Sequence, residues 1–177
     1  MIKECGEKEK GERRFLLLFK LKELLYDIGN MAWVEGHILE SENLELRHTV
    51  QDIVQDGNRD RVARILDKAH CIVTEALYPY TSRELYLKWR DDRPERRHVF
   101  GILLRVPDDF SQTTMNLMEH LVHEYMVADV MQDWLTITHA DKAAVWLEKR
   151  EEALSRLRSC VNLRRGGQRV RRRLSPF

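Results

Sequence analysis

This chain of 177 residues is nearly neutral, with 30 Lys and Arg against 29 Asp and Glu. Its length predicts one domain that can bury a core without disulfides or metals. Three cysteines without a Cys-x-x-Cys pair argue against a disulfide framework and for a reducing compartment. The longest early apolar run, Phe15 to Phe19, is too short for a signal peptide or a membrane span. We therefore expect a soluble intracellular protein.

The first part of the chain predicts a charged lead-in followed by a helix. Residues 1–20 are expected to be frayed, ahead of a single helical domain over 21–160. A first helix is predicted from Phe15 to Leu39, because apolar residues recur at helical spacing. Its apolar stripe consists of Leu21, Leu24, Leu25, Ile28, Met31, Ala32 and Ile38. Gly29 and Gly36 share one side of the helix and predict either close approach of another helix or a break at Gly29.

The middle of the chain changes from helical to alternating spacing. Two helices are predicted, from Leu44 to about Gln55 and from Arg59 to Leu77. Beyond them, alternation of apolar and polar residues predicts a β-hairpin over 83–106 with a charged tip at 91–97. Two strands alone are marginal in water, so we expect the hairpin to pack on the helices or to pair with another chain.

The second half predicts a pair of long helices. The fourth helix, about Gln112 to Leu135, is apolar nearly all round, which is typical of a central or partner-covered helix. A fifth helix follows and runs to about Cys160. Trp134 and Trp146 lie on the apolar stripes and are predicted to pack these helices together. The predicted fold class is mainly α, a bundle of about five helices with one β-hairpin.

One group of candidate metal ligands lies on the fourth predicted helix. His120 and His123 are three residues apart and are flanked by Glu119 and Glu124. The spacing matches neither His-Glu-x-x-His nor His-x-x-Glu-His, in which a general base lies beside two ligands. We favour the interpretation that these residues form the polar side of an amphipathic helix.

A second group resembles the ligand spacing of di-iron bundles, which pair Glu-x-x-His motifs with further carboxylates. Glu45 and His48 form one such motif, and Asp67 and His70 form its aspartate version, with Glu35 as a further candidate ligand. We favour structural roles here too, and predict no metal, no cofactor and no catalytic residue. Cys71 follows His70 directly, and adjacent helical residues point about 100° apart, so they cannot form a nucleophile–base pair.

The end of the chain predicts a flexible basic arm over 161–177. This segment contains six arginines and no acid, and without those arginines the chain has 24 basic and 29 acidic residues, a formal charge of −5. A cationic arm on an acidic body is typical of docking on a negative partner, either nucleic acid or protein. The apolar tip, Leu174 to Phe177, favours docking on a neighbouring subunit.

The segment from Leu104 to Leu157 resembles the small helical structural proteins of tailed phages and prophages that complete the head or join portal to tail. The resemblance lies in Val106-Pro107-Asp108-Asp109-Phe110, in Tyr125 to Leu135 and in Trp146 to Leu157. The stretch from Leu25 to Gly36 is also similar to such proteins from gut Bacteroidetes elements. The resemblance covers about half the chain and implies a multi-copy ring component without enzymatic activity. The long lead-in and the charged hairpin tip depart from the family pattern.

We therefore predict a non-enzymatic assembly protein, a head–tail connector or similar ring component, in the host cytoplasm or the virion. Expected partners are copies of itself and neighbouring virion-type structural proteins, with DNA phosphates as a further candidate, and no membrane or small-molecule substrate. The predicted partner-binding residues are Arg93, Arg96, Arg97, Arg164, Arg165, Arg169, Arg171, Arg172, Arg173 and Phe177. The alternatives are a nucleic-acid-binding module that uses the arm and a helical-bundle metalloprotein that uses His48, His70, His120 or His123.

Overall fold

The computed structural model describes residues 2–4, 12–38, 44–81 and 98–163. These residues form five α-helices, a short 3-10 helix and three antiparallel strands. In chain order they are β1 (Ile2–Glu4), β2 (Glu12–Lys20), α1 (Leu21–Ile38), α2 (Leu44–Gln51), the 3-10 helix (Asp52–Val54), α3 (Asp56–Ala76), β3 (Val99–Pro107), α4 (Gln112–Thr138) and α5 (Ala140–Leu163). The predicted mainly α fold, with five helices and antiparallel β-structure, is confirmed.

Strand β2 is the central strand of the sheet and pairs with β1 on one side and β3 on the other. Phe15, Leu17 and Phe19 alternate with less buried residues and point into the core. Two sequence predictions are therefore wrong at this point, since the lead-in of residues 1–20 includes a core strand and the first helix begins at Leu21. A continuous apolar run cannot be assigned to helix or strand from its periodicity. Here pairing with the distant strand β3 makes the run a strand.

Strand β3 corresponds to the second strand of the predicted hairpin. Its alternating residues Phe100, Ile102 and Leu104 are buried. Across the pairing with β2, Phe15 lies opposite Leu104, and Phe19 lies opposite Phe100. The first strand and the charged tip of the predicted hairpin lie outside the described residues.

Helix α4 is the centre of the helical layer. Its buried residues lie on every side of the helix, as its sequence predicts, because α5 packs along it and α1, α2 and α3 also contact it. Trp134 and Trp146 are both buried, as predicted. The described buried residues of the sheet and the helices form one hydrophobic cluster.

Helix α5 continues to Leu163, so the predicted arm begins later than residue 161. Val161 is buried, because it extends the apolar side of α5. Residues 164–177 lie outside the described residues.

Candidate protein-interaction surface

The residues predicted to bind partners all fall outside the described ranges. They are Arg93, Arg96, Arg97, Arg164, Arg165, Arg169, Arg171, Arg172, Arg173 and Phe177. Their roles remain predictions.

The candidate metal ligands His120 and His123 lie beside a surface depression of about 250 Å³ between β2, α1 and α4. His123 Nε2 is 2.8 Å from Asp27 Oδ2, so this ring joins α4 to α1. Glu23 and Glu119 also line the depression. Within the described ranges, no set of three or more His, Cys, Asp or Glu side chains has an arrangement that could hold a metal ion.

The residues of the Glu-x-x-His candidates are dispersed over the molecule. His70 is buried, with its Nε2 3.0 Å from the carbonyl oxygen of Gly101, so it joins α3 to β3. His48 is exposed on α2. Glu35 accepts a hydrogen bond of 3.1 Å from Trp146 Nε1 and thus joins α1 to α5. His70 and Glu35 therefore connect elements of the fold.

An ion pair between α4 and α5 has one buried partner. The Asp129 carboxylate is only 4% exposed and accepts a hydrogen bond of 3.1 Å from Arg150 Nη1. Arg150 also donates to Gln132 and Glu151. Burial lowers the pKa of the Arg150 guanidinium, but the hydrogen bonds to Glu151 and Asp129 outweigh it and raise the pKa above its usual value. Burial, followed by the charge of Asp129, raises the pKa of the neighbouring Tyr125 to about 12.

The most unusual surface is the solvent side of α1 between residues 26 and 38, which we call the α1 face. Five large apolar side chains are exposed on it. They are Tyr26 (70%), Met31 (43%), Trp33 (56%), Val34 (44%) and Ile38 (57%). Several large apolar side chains exposed on one helix make it a candidate for contact with a partner.

The α1 face carries few charged residues. The stretch 26–38 contains no Lys or Arg, and its only acids are Asp27 and Glu35. Asp27 bonds His123 at 2.8 Å, and Glu35 accepts from Trp146 and lies 3.7 Å from Lys142 Nζ. Both acids thus have partners within the molecule, although the Asp27 side chain is 42% exposed.

The opposite side of α1 is fixed against α2 and the 3-10 helix. A Cβ atom at Gly29 would lie 3.1 Å from Val54 Cγ2, and one at Gly36 would lie 3.2 Å from the carbonyl oxygen of Arg47. The two glycines therefore permit close approach of a neighbouring segment, one of the two alternatives that their spacing predicts, and α1 is continuous through Gly29.

Sequence reasoning missed the α1 face and assigned Met31 and Ile38 to the buried stripe. The structure corrects this assignment, because the buried stripe of α1 consists of Leu24, Ile28, Ala32 and Gly36. A usable signal was present, since α1 has more large apolar residues than one side of a helix can bury. On the exposed side, the Trp33 and His37 rings stack with centroids 5.0 Å apart and planes 9° apart.

Comparison with known proteins found no matching family model, no matching curated protein and no matching solved structure. Among the helices of the described ranges, none has the length and apolar character needed to cross a membrane.

Proposed function

We propose that this protein is a non-enzymatic structural protein that acts by assembling with copies of itself and with neighbouring proteins. The observation that carries the proposal is the α1 face, which presents Trp33, Tyr26 and Met31 to solvent in a stretch without Lys or Arg. Trp, Tyr and Met are enriched in protein–protein interfaces, and charged residues are depleted from interface cores. Burial of such a surface in an interface is favourable, because it removes apolar area from water.

The more specific proposal is a ring component of the head–tail connector type, from a tailed phage or a prophage. It rests on the resemblance of Leu104 to Leu157, the segment that contains α4 and α5. In this proposal the hairpin tip, with Arg93, Arg96 and Arg97, and the basic arm supply contacts to neighbouring subunits. Such a ring has a fixed copy number because its subunit contacts close on themselves.

Sedimentation velocity of the full chain over a wide concentration range tests the proposal. We expect a species larger than a monomer that dissociates on dilution, and native mass spectrometry should give its copy number. A single closed species with several copies supports the ring, whereas a simple dimer supports self-assembly and contradicts the ring.

A monomer at every concentration contradicts self-assembly altogether. If that monomer also binds DNA with an affinity that falls steeply with salt, the nucleic-acid-binding alternative replaces the proposal.

A further inference from the structure

We infer that one side of α3, together with Arg158 of α5, binds the phosphate backbone of DNA. We call this side the α3 surface, and its contacts to phosphate are Arg64, Lys68 and Arg158. The inference goes beyond the proposed function and is independent of self-assembly. It is carried by two depressions along α3, by the charges that line them and by the point at which α5 ends.

Two surface depressions follow each other along one side of α3. The first, of about 560 Å³, is lined by α3 residues between 61 and 68 and by residues of α4. The second, of about 530 Å³, is lined by α3 residues between 71 and 76 and by Arg158. The α3 residues of both recur at intervals of three and four, which places them on one side of the helix. The α3 surface therefore extends along about 22 Å of the helix axis.

The acids of the first depression are paired within the molecule. Asp133 Oδ2 is 2.7 Å from Arg61 Nη2, and Asp129 Oδ1 is 3.1 Å from Arg150 Nη1.

Arg64 and Lys68 line the same depression and are exposed. Neither forms an ion pair with a carboxylate in the part of the chain that the structure describes, and the Arg64 Nε atom donates to the backbone oxygen of Asp60 at 3.3 Å. Two positive charges one helical turn apart thus face solvent without a counterion.

The second depression adds a third unpaired cation. Arg158 is exposed and forms no ion pair among the described residues. Glu75 also lines this depression, whereas Asp60 and Asp67 line neither of the two. The unpaired charges of the α3 surface are therefore three positive and one negative, an excess that attracts an anionic partner.

The end of α5 favours DNA as that partner. Helix α5 ends at Leu163, about 8 Å beyond Arg158 along its axis, and the residues that follow contain six arginines and no acid. Cations on the fold and in the adjoining sequence together suit a partner whose negative charge is continuous. Duplex DNA carries one phosphate for about every 1.7 Å of its axis, so each cation of the α3 surface can meet a phosphate without a fixed register. The arginine guanidinium also matches the geometry of phosphate.

Fluorescence anisotropy of the full chain with a short labelled DNA duplex, over a range of salt concentrations, tests the site. The triple variant Arg64→Gln, Lys68→Gln and Arg158→Gln should raise the dissociation constant at least about tenfold at low salt. It should also lower the slope of log affinity against log salt by about 2 to 3, because each lost phosphate contact lowers the slope by about 0.9.

The matched control replaces two arginines and one lysine that are exposed and line neither depression. Its changes are Arg59→Gln, Arg156→Gln and Lys22→Gln. It removes the same charge from the chain, and should change the dissociation constant by less than about threefold, because distant charges are screened by salt. Both triple variants should keep the thermal unfolding transition of the wild type, since all six side chains are exposed.

Three results would overturn the α3 surface as a DNA site. They are absence of DNA binding by the wild type, an equal loss of affinity in both triple variants, and competition by polyglutamate as strong as competition by unlabelled DNA of equal charge. Each of them leaves the proposed function standing where sedimentation shows self-assembly. Conversely, a monomer that binds DNA through the α3 surface contradicts self-assembly and supports this site.

Discussion

Arg150 links α5 to α4 through an ion pair with Asp129. Its guanidinium is the counterion of Asp129, which is buried between the two helices. Arg150→Met should lower the free energy of unfolding by about 3–5 kcal/mol, because it leaves a buried carboxylate without compensation. Urea unfolding at neutral pH measures this change.

The control for Arg150 is the double variant Asp129→Leu with Arg150→Met. Replacing a whole buried ion pair with apolar residues is often neutral or stabilising, so the double variant should recover most of the loss. A loss below about 1 kcal/mol in the single variant would mean that Asp129 has another partner or is neutral in the folded protein.

At the scale of residues, the sequence predicts which side chains are buried better than it predicts their hydrogen-bond partners. Trp134 and Trp146 lie on apolar stripes and are buried as predicted. Their indole N–H groups donate to Val50 O and Glu35 Oε1, at 3.0 and 3.1 Å. These acceptors belong to α2 and α1, distant in sequence, so helical spacing holds no information about them.

Strand β2 is the central strand of the sheet and contributes three buried side chains to the core. Deleting residues 1–20 removes Phe15, Leu17 and Phe19 from the core and removes the strand that pairs with β3. We expect this deletion to abolish the cooperative thermal transition measured by circular dichroism, because burial of each such side chain contributes about 1.5–3 kcal/mol.

The matched control for that deletion removes residues 1–11 only. It takes away β1, which has three residues, and keeps the pairing of β2 with β3. The shorter deletion should still unfold cooperatively, with a lower midpoint. If the longer deletion also unfolds like the wild type, residues 12–20 are not part of the core.

Among the elements, α4, α5 and β3 follow from the sequence, whereas β2 and the start of α1 do not. The bounds of α4 and α5 fall within a few residues of the predicted ones because long stripes define them. The first part of β2 reads Glu-Arg-Arg and its apolar part reads Phe-Leu-Leu-Leu-Phe, which fits a lead-in followed by a helix equally well. Only pairing with β3, far away in the chain, identifies it as a strand.

At the scale of the whole molecule, removal of the C-terminal arm tests whether folding and assembly can be separated. Truncation after Leu163 keeps all of α5 and removes six arginines from a nearly neutral chain. We expect the thermal transition to remain and binding to neighbouring subunits or to DNA to weaken, because the arm is predicted to act through charge. Calorimetry and sedimentation of the truncated chain measure the two effects separately.

Two results would contradict the predicted role of the arm. Loss of the thermal transition would assign the arm to the folded core. Unchanged assembly, together with unchanged binding of DNA, would leave the arginines without a role in either contact.

The pairing of β2 with β3 has a consequence for the order of events during synthesis. Residues 12–20 form the central strand, but the residues that pair with them, 99–107, are made much later. Contacts between distant parts of a chain form slowly, because loop-closure entropy is lost before the pairing is gained. The apolar side chains of Phe15, Leu17 and Phe19 therefore lack their neighbouring strand on the ribosome until β3 has been made.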